Sequence, residues 1–149
     1  MRALVQRVAQ ASVAVDGSVI SEIQNGLLVF LGVAGDDQTE DADYLLKKIP
    51  ALRIFPDKDG KMNFSVLDSQ GEILVVSQFT LIADTKKGNR PSYFHAAPPE
   101  VARKTYEEFC SNLGKLGLRI RQGIFGADMK VALINDGPVT IWLDSKERG

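Results

Sequence analysis

The chain has 149 residues, 44% of them hydrophobic, which is the size of one domain able to bury a core without metal or disulfide staples. Eighteen Lys and Arg against nineteen Asp and Glu leave a formal net charge of −1, so any site for a polyanion has to be a local basic patch. A single cysteine, Cys110, and a single histidine, His95, exclude an intramolecular disulfide and a Cys/His zinc site, and no run approaches the roughly 20 apolar residues of a membrane-spanning helix.

The start, Met1 to Arg7, is charged at positions 2 and 7 and reads as a first strand and not as a signal peptide, which makes a soluble, cytoplasmic protein the expectation. Ala3–Val8 and Ser12–Val15 are rich in β-formers, and Asp16-Gly17 supplies a hairpin turn into a strand over Val19–Ile23. After a second turn at Asn25-Gly26, the run Leu27–Val33 is too short and too uniformly apolar for an amphipathic helix; it reads as a central strand covered on both faces. Between Asp36 and Pro50, Ala42, Leu45, Leu46 and Ile49 recur at helical spacing behind an acidic first turn, and Pro50 stops the helix. Arg53–Phe55 and Met62–Val66 flank the turn Asp57–Gly60, and Ile73–Val76 follows as another buried strand, both pairs suggesting antiparallel hairpins.

Ala83–Pro99 is polar, contains Gly and Pro and has no period, the mark of a long functional loop. Pro98-Pro99-Glu100 opens a second helix with Val101, Ala102, Tyr106, Phe109 and Leu113 on one side. Strands over Met129–Ile134 and Val139–Leu143 close the chain, and Ser145–Gly149 reads as a frayed tail. The sum is a single α+β domain, residues 1–149, with a mainly antiparallel, barrel-like sheet and two principal helices.

Two polar segments interrupt this pattern. Ser77-Gln78-Phe79-Thr80-Leu81 stands where a buried strand runs out, placed either to face a cleft or only to hydrogen-bond a turn. Asn135-Asp136-Gly137-Pro138-Val139-Thr140 separates the last two strands; it is either a β-turn or a rigid X-Pro element that aims backbone carbonyls at a ligand. Basic residues gather at Lys86, Lys87 and Arg90, and again at Lys115, Arg119 and Arg121; they are solvated faces unless the two groups converge on a phosphate backbone. His95 has no evident carboxylate or nucleophile partner.

Both segments, together with Ala83-Asp84, Gly88 and Arg90-Pro91-Ser92, resemble the D-aminoacyl-tRNA deacylases. Further matches run through Leu4–Val8, Ala11–Val13, Arg53–Phe55, Gly60–Asn63 and Gly123 with Phe125, Ala127 and Met129; Tyr93 departs from the Phe expected after Arg-Pro-Ser. The resemblance implies hydrolysis of the ester between a D-amino acid and the tRNA 3′ end, a proofreading reaction of translation, by an enzyme without metal or cofactor. It also implies a homodimer with active sites at the subunit interface, Ser77, Gln78, Phe79 and Thr80 as catalytic segment, and Gly137, Pro138, Phe125, Ala127 and Met129 against the substrate. In this reading the Gly137-Pro138 bond is cis and enters the partner's pocket, and backbone amides near Phe79 and Thr80 form the polar wall.

An aminoacyl ester is already activated, so modest devices suffice: one fixed N–H aimed at the developing oxyanion is worth on the order of 10²–10³ in rate. Thr80 as nucleophile would need an adjacent base, which leaves it better suited to positioning, with the 2′-hydroxyl of the terminal ribose as a candidate to help activate water. L-Aminoacyl-tRNA would be rejected by collision with the Gly137-Pro138 backbone, a filter that glycine, also when mischarged on tRNA-Ala, would pass. The rival readings are a nucleic-acid-binding module without activity and a hydrolase of some other small ester or amide.

Overall fold

The structure, a computed structural model, describes residues 1–148. Its first strand, β1 (Arg2–Val15), is continuous where the sequence suggested two strands. Register shifts opposite the last strand, between Gln6 and Val8 and between Val8 and Gln10, absorb the irregular middle of β1 without ending it. Asp16 and Gly17 both take positive φ, 51° and 81°, as a two-residue hairpin turn demands, and β2 (Ser18–Ile23) returns antiparallel to β1.

β3 (Gly26–Gly32) lies antiparallel to the first half of β1 and parallel to β6 (Glu72–Ser77), so the apolar run is central and buried on both faces, as its composition predicts. β6 lies parallel in turn to β7 (Arg119–Gln122), a strand where the sequence shows only a basic cluster. The order is β2-β1-β3-β6-β7, with β8 (Lys130–Asp144) along the other edge of β1. The Ser21 hydroxyl donates to the Gln122 carbonyl, drawing β2 toward β7 and nearly closing the sheet into a barrel.

The parallel pairs correct the expected hairpins. α1 (Thr39–Ala51) crosses between β3 and β6, and α2 (Pro99–Gly114) between β6 and β7, and only such long crossovers let neighbouring strands run the same way. Of the pairs expected in this part of the chain, β4 (Phe55–Pro56) with β5 (Met62–Phe64) does form an antiparallel hairpin. α1 starts three residues later than expected, where the Gln38 amide donates to Asp41 Oδ2 at 2.7 Å. Pro50 lies inside its last turn, where it removes a single N–H and the Leu52 amide closes back on Ile49 at 3.4 Å.

The two faces of the sheet bury separate cores. Val5, Leu27, Val29, Leu31, Ile73 and Val75 face Leu45, Ile49, Tyr106 and Phe109 of the helices, while Val8, Val13, Leu28, Leu74 and Val76 fill the inside of the curl with Met129 and Val131. No helix among the described residues is long and apolar enough to cross a membrane.

The end of the chain differs from expectation twice. Met129–Ile134 and Val139–Leu143 are not two strands joined by a turn: β8 runs through both and pairs with β1 on either side of Gly137-Pro138. Nor is the tail frayed through its described part. Ser145 is buried, its hydroxyl donates to Asp41 Oδ1 at 2.6 Å and accepts from the Met1 amine at 2.8 Å, and Lys146 reaches Asp41 Oδ2 at 2.8 Å. Gly149 lies outside the described residues.

Candidate active site

The parallel strands β3, β6 and β7 all point their carboxyl ends the same way, and residues at or just past those ends, Val33, Ser77 and Phe125, line one largely apolar cleft of about 660 Å³. The carboxyl ends of parallel strands are where such sheets bind ligands, and the volume suits a small-molecule-sized group.

β6 is buried through Val76 and opens to half-burial at Ser77 because the apolar sequence ends there. The Gln78 amide still donates to the Leu31 carbonyl at 2.8 Å, extending the β3 pairing by one residue. The chain then winds into a 3-10 turn, Phe79–Ile82, in which the Leu81 amide donates back to the Gln78 carbonyl at 3.2 Å. The Phe79 and Thr80 amides precede that bond and stand outside the turn's ladder. The side chain of Gln78 donates from Nε2 to Thr80 Oγ1 at 2.6 Å. This is a positioning bond, because an amide nitrogen cannot take the hydroxyl's proton.

The opposite wall comes from the segment after β7. Phe125, Ala127 and Met129 line the cleft, with Phe125 tilted against Tyr106 at 6.1 Å and under the Arg103 guanidinium at 5.2 Å. Tyr106 is buried and donates its hydroxyl to the Val75 carbonyl at 2.7 Å, tying α2 to β6 behind the cleft. Burial pushes the Tyr106 phenol up and the neighbouring Cys110 thiol up to about 12, so both stay neutral and serve the scaffold.

The third wall is the end of the Ala83–Pro99 loop, which is more ordered than its composition suggests. Asp84 and Ser92 exchange backbone bonds at 2.8 and 2.9 Å, and Ala97 donates to the Val33 carbonyl at 3.0 Å. Tyr93 and Ala96–Pro99 thereby reach the cleft, and the Tyr93 ring meets Phe79 edge-on at 4.9 Å.

Six of the nine residues singled out from the sequence therefore share one cleft: Ser77, Gln78, Phe79, Phe125, Ala127 and Met129. Thr80 is tied to it only through Gln78. Gly137 and Pro138 do not line it; they are exposed in the middle of β8, and their peptide bond is cis. Their supports are Arg7 and Asn135. Arg7 Nε donates to the Asp136 carbonyl at 2.9 Å and its Nη1 to the Ile54 carbonyl at 2.6 Å, while Asn135 accepts from the Val139 amide at 3.0 Å and donates to the Arg7 and Val139 carbonyls. Gly137 has φ 140°, and a Cβ there would stand 2.8 Å from Val139 Cγ2 and 3.2 Å from Arg7 Nη2, so glycine is required.

Sequence reasoning missed the holding role of Arg7; an arginine on a strand otherwise entering a core was the available signal. His95, read as partnerless, has Nε2 3.9 Å from Asp84 Oδ2, and it lines a separate polar cleft. The two basic clusters do not converge: Arg119 sits level with Glu72, at the end of β6 opposite Ser77, and pairs with that glutamate at 3.6 Å.

The family described as D-Tyr-tRNA(Tyr) deacylase matches residues 4–144. The chain belongs to that family. Among its relatives, the D-aminoacyl-tRNA deacylase of Thermosipho africanus is 56% identical over 147 residues, covering 99% of both chains. That of Anaeromyxobacter dehalogenans is 57% identical over 146 residues, covering 98% of both. Of solved structures, the c-Myc DNA Unwinding Element Binding Protein superposes with a TM-score of 0.92 at 46% identity, over 97% of this chain and 98% of that one. A probable eukaryotic D-amino acid tRNA deacylase shares the fold, with a TM-score of 0.80 at 18% identity over 96% and 98% of the two chains.

Proposed function

We propose that the protein hydrolyses the ester between a D-amino acid and its tRNA, releasing both, as a proofreading step of translation in the cytoplasm. The observation that carries this is the meeting of Ser77, Gln78 and Phe79 with Phe125, Ala127 and Met129 in one apolar cleft, in a chain that belongs to this family throughout residues 4–144. The Phe79 and Thr80 amides, outside the helical ladder, donate to the carbonyl oxygen as it gains negative charge. Gln78 fixes the Thr80 hydroxyl, and water attacks with help from the 2′-hydroxyl of the terminal ribose.

The selective element is the Gly137-Pro138 backbone of a second copy. Two features support this: the pair lies exposed and outside the cleft of its own chain, and β8 leaves its outer edge without a strand partner among the described residues while exposing Ile134 and Trp142. Placed over the cleft of a partner, the Gly137 and Pro138 carbonyls hold the α-amino group so that an L side chain strikes backbone and a D side chain leaves toward solvent. Glycine has nothing to strike, so glycyl-tRNA, including glycine mischarged on tRNA-Ala, is a substrate.

A second reading, nucleic-acid binding without hydrolysis, is favoured by the name of the structural neighbour that binds a DNA unwinding element. The test is amino acid release from matched D- and L-tyrosyl-tRNA, with chelator present. D-selective release supports the deacylase; release from neither, with retained binding, supports the second reading.

A further inference from the structure

Phe94 is 87% exposed, more than any other large apolar side chain among the described residues. The chain around it is nonetheless fixed: the Phe94 amide donates to Ser92 Oγ at 3.4 Å, the His95 ring stands edge-on at 5.5 Å, and the His95 carbonyl accepts from the Gly35 amide at 2.8 Å. Tyr93, one residue earlier, lines the apolar cleft, whereas Phe94 lines the neighbouring polar cleft of about 640 Å³ with Arg2, Lys86 and Lys146. That cleft also carries Asp36, Asp84, Asp144 and Glu147, with Asp84 facing His95 at 3.9 Å, so the positive charge open to a phosphate is at the exposed tip of the loop beyond Asp84. There Lys86, Lys87 and Arg90 are exposed and take part in no ion pair among the described residues.

A solvent-facing aromatic ring carried on an ordered backbone beside unpaired cations is one way a protein holds single-stranded nucleic acid: bases stack on the ring while the cations follow the backbone. We propose that Phe94 is a stacking platform for an unpaired base of the tRNA 3′ strand, upstream of the terminal nucleoside that enters the apolar cleft. This rests on the deacylase reading above. The loop continues directly from one cleft to the other, so a strand whose last nucleoside lies beside Tyr93 passes over Phe94 as it leaves.

The test compares D-tyrosyl-tRNA with D-tyrosyl-adenosine, which has the ester and the terminal nucleoside but no upstream base. Phe94→Ala is expected to lower kcat/KM on the tRNA by roughly 5- to 150-fold, the worth of one base stack, through KM. It should leave the adenosine ester unaffected, and Phe94→Trp should restore the tRNA activity. As a readout independent of turnover, the Phe94→Trp protein should lose more fluorescence on titration with a CCA trinucleotide than the unaltered protein, whose exposed Trp142 sets the background. An unchanged kcat/KM on tRNA, equal losses on both substrates, absence of quenching, or a changed oligomeric state of Phe94→Ala on sizing would each overturn the proposal. If the unaltered protein hydrolyses neither substrate yet Phe94→Trp is quenched, the deacylase reading fails and the stacking site stands.

Discussion

Arg7→Ala tests whether the Gly137-Pro138 segment depends on the guanidinium beneath it. The Arg7 side chain is 12% exposed and donates to the Asp136 and Ile54 carbonyls at 2.9 and 2.6 Å. Its contact with the Asp136 carboxylate, at 3.7 Å and with that carboxylate more than half exposed, adds little. Bonds from a charged donor contribute about 1.5–3 kcal/mol each. Asp136 is exposed, so its carbonyl can turn to water, while Ile54 is buried and leaves its carbonyl short of a partner. The expected loss is therefore about 2–4 kcal/mol, nearer one full bond and part of another than two. Urea unfolding should show it as a lower midpoint with an unchanged slope. In the same protein the ratio of D- to L-tyrosyl-tRNA hydrolysis should fall at least about tenfold, which corresponds to a 1.4 kcal/mol change in relative transition-state energy. Arg7→Lys, able to reach one carbonyl but not both, should lie between. A full loss of stability with the D/L ratio untouched would refute the reasoning, because the segment would then hold its geometry without Arg7.

Thr80→Val should reduce kcat on D-tyrosyl-tRNA by less than about tenfold if Thr80 positions substrate; a loss nearer 10³ or more in single-turnover assays would make it the nucleophile. Tyr106→Phe should cost only about 1 kcal/mol in urea unfolding, because the Val75 carbonyl keeps its bond from the Gly123 amide at 3.2 Å; a cost above about 3 would mean that the hydroxyl organises more than this bond. Asp41 is buried, which by itself would raise its pKa, but the Gln38 amide, the Lys146 ammonium, the Ser145 hydroxyl and the Met1 amine outweigh burial and hold its carboxyl well below the usual range. Its folded pKa is thus depressed, so its contribution is complete above the unfolded value near 4 and is lost as pH falls below that. The stability gap between the unaltered protein and Asp41→Asn should be steady from pH 5 to 7 and shrink below about pH 4; a gap independent of pH would contradict this account. Glycyl-tRNA should be cleaved, and its complete resistance beside several hydrolysed D-aminoacyl-tRNAs would replace the steric filter with a pocket that grips D side chains.

Much of this was legible locally. The Asp16-Gly17 turn, the double burial of Leu27–Leu31 and the helical period of α1 follow from residue chemistry within a few positions. Strand direction was not, since Ile73–Val76 reads the same whether its neighbours run with it or against it, and only the crossovers through α1 and α2 decide. β7 was hidden because Arg119 and Arg121 flank its one apolar residue, Ile120, on a four-residue strand, too short for period to outweigh charge. In the site, the motif of Ser77–Leu81 and that of Asn135–Thr140 were visible, but their distance from each other was not. One chain keeps them apart, and the guanidinium that steadies the second comes from position 7.

The pairing of β8 with β1 joins the two motifs mechanically. Val131, which lines the cleft, pairs with Val13, and Asn135, which holds the Gly137-Pro138 segment, pairs with Val8, so a single strand fixes one wall of the cleft and the cis bond in the same register. A slip of that strand by one residue would turn every side chain to the opposite face, taking Val131 out of the cleft and Asn135 off its backbone partners together. The two motifs, apart in space, therefore share one point of failure.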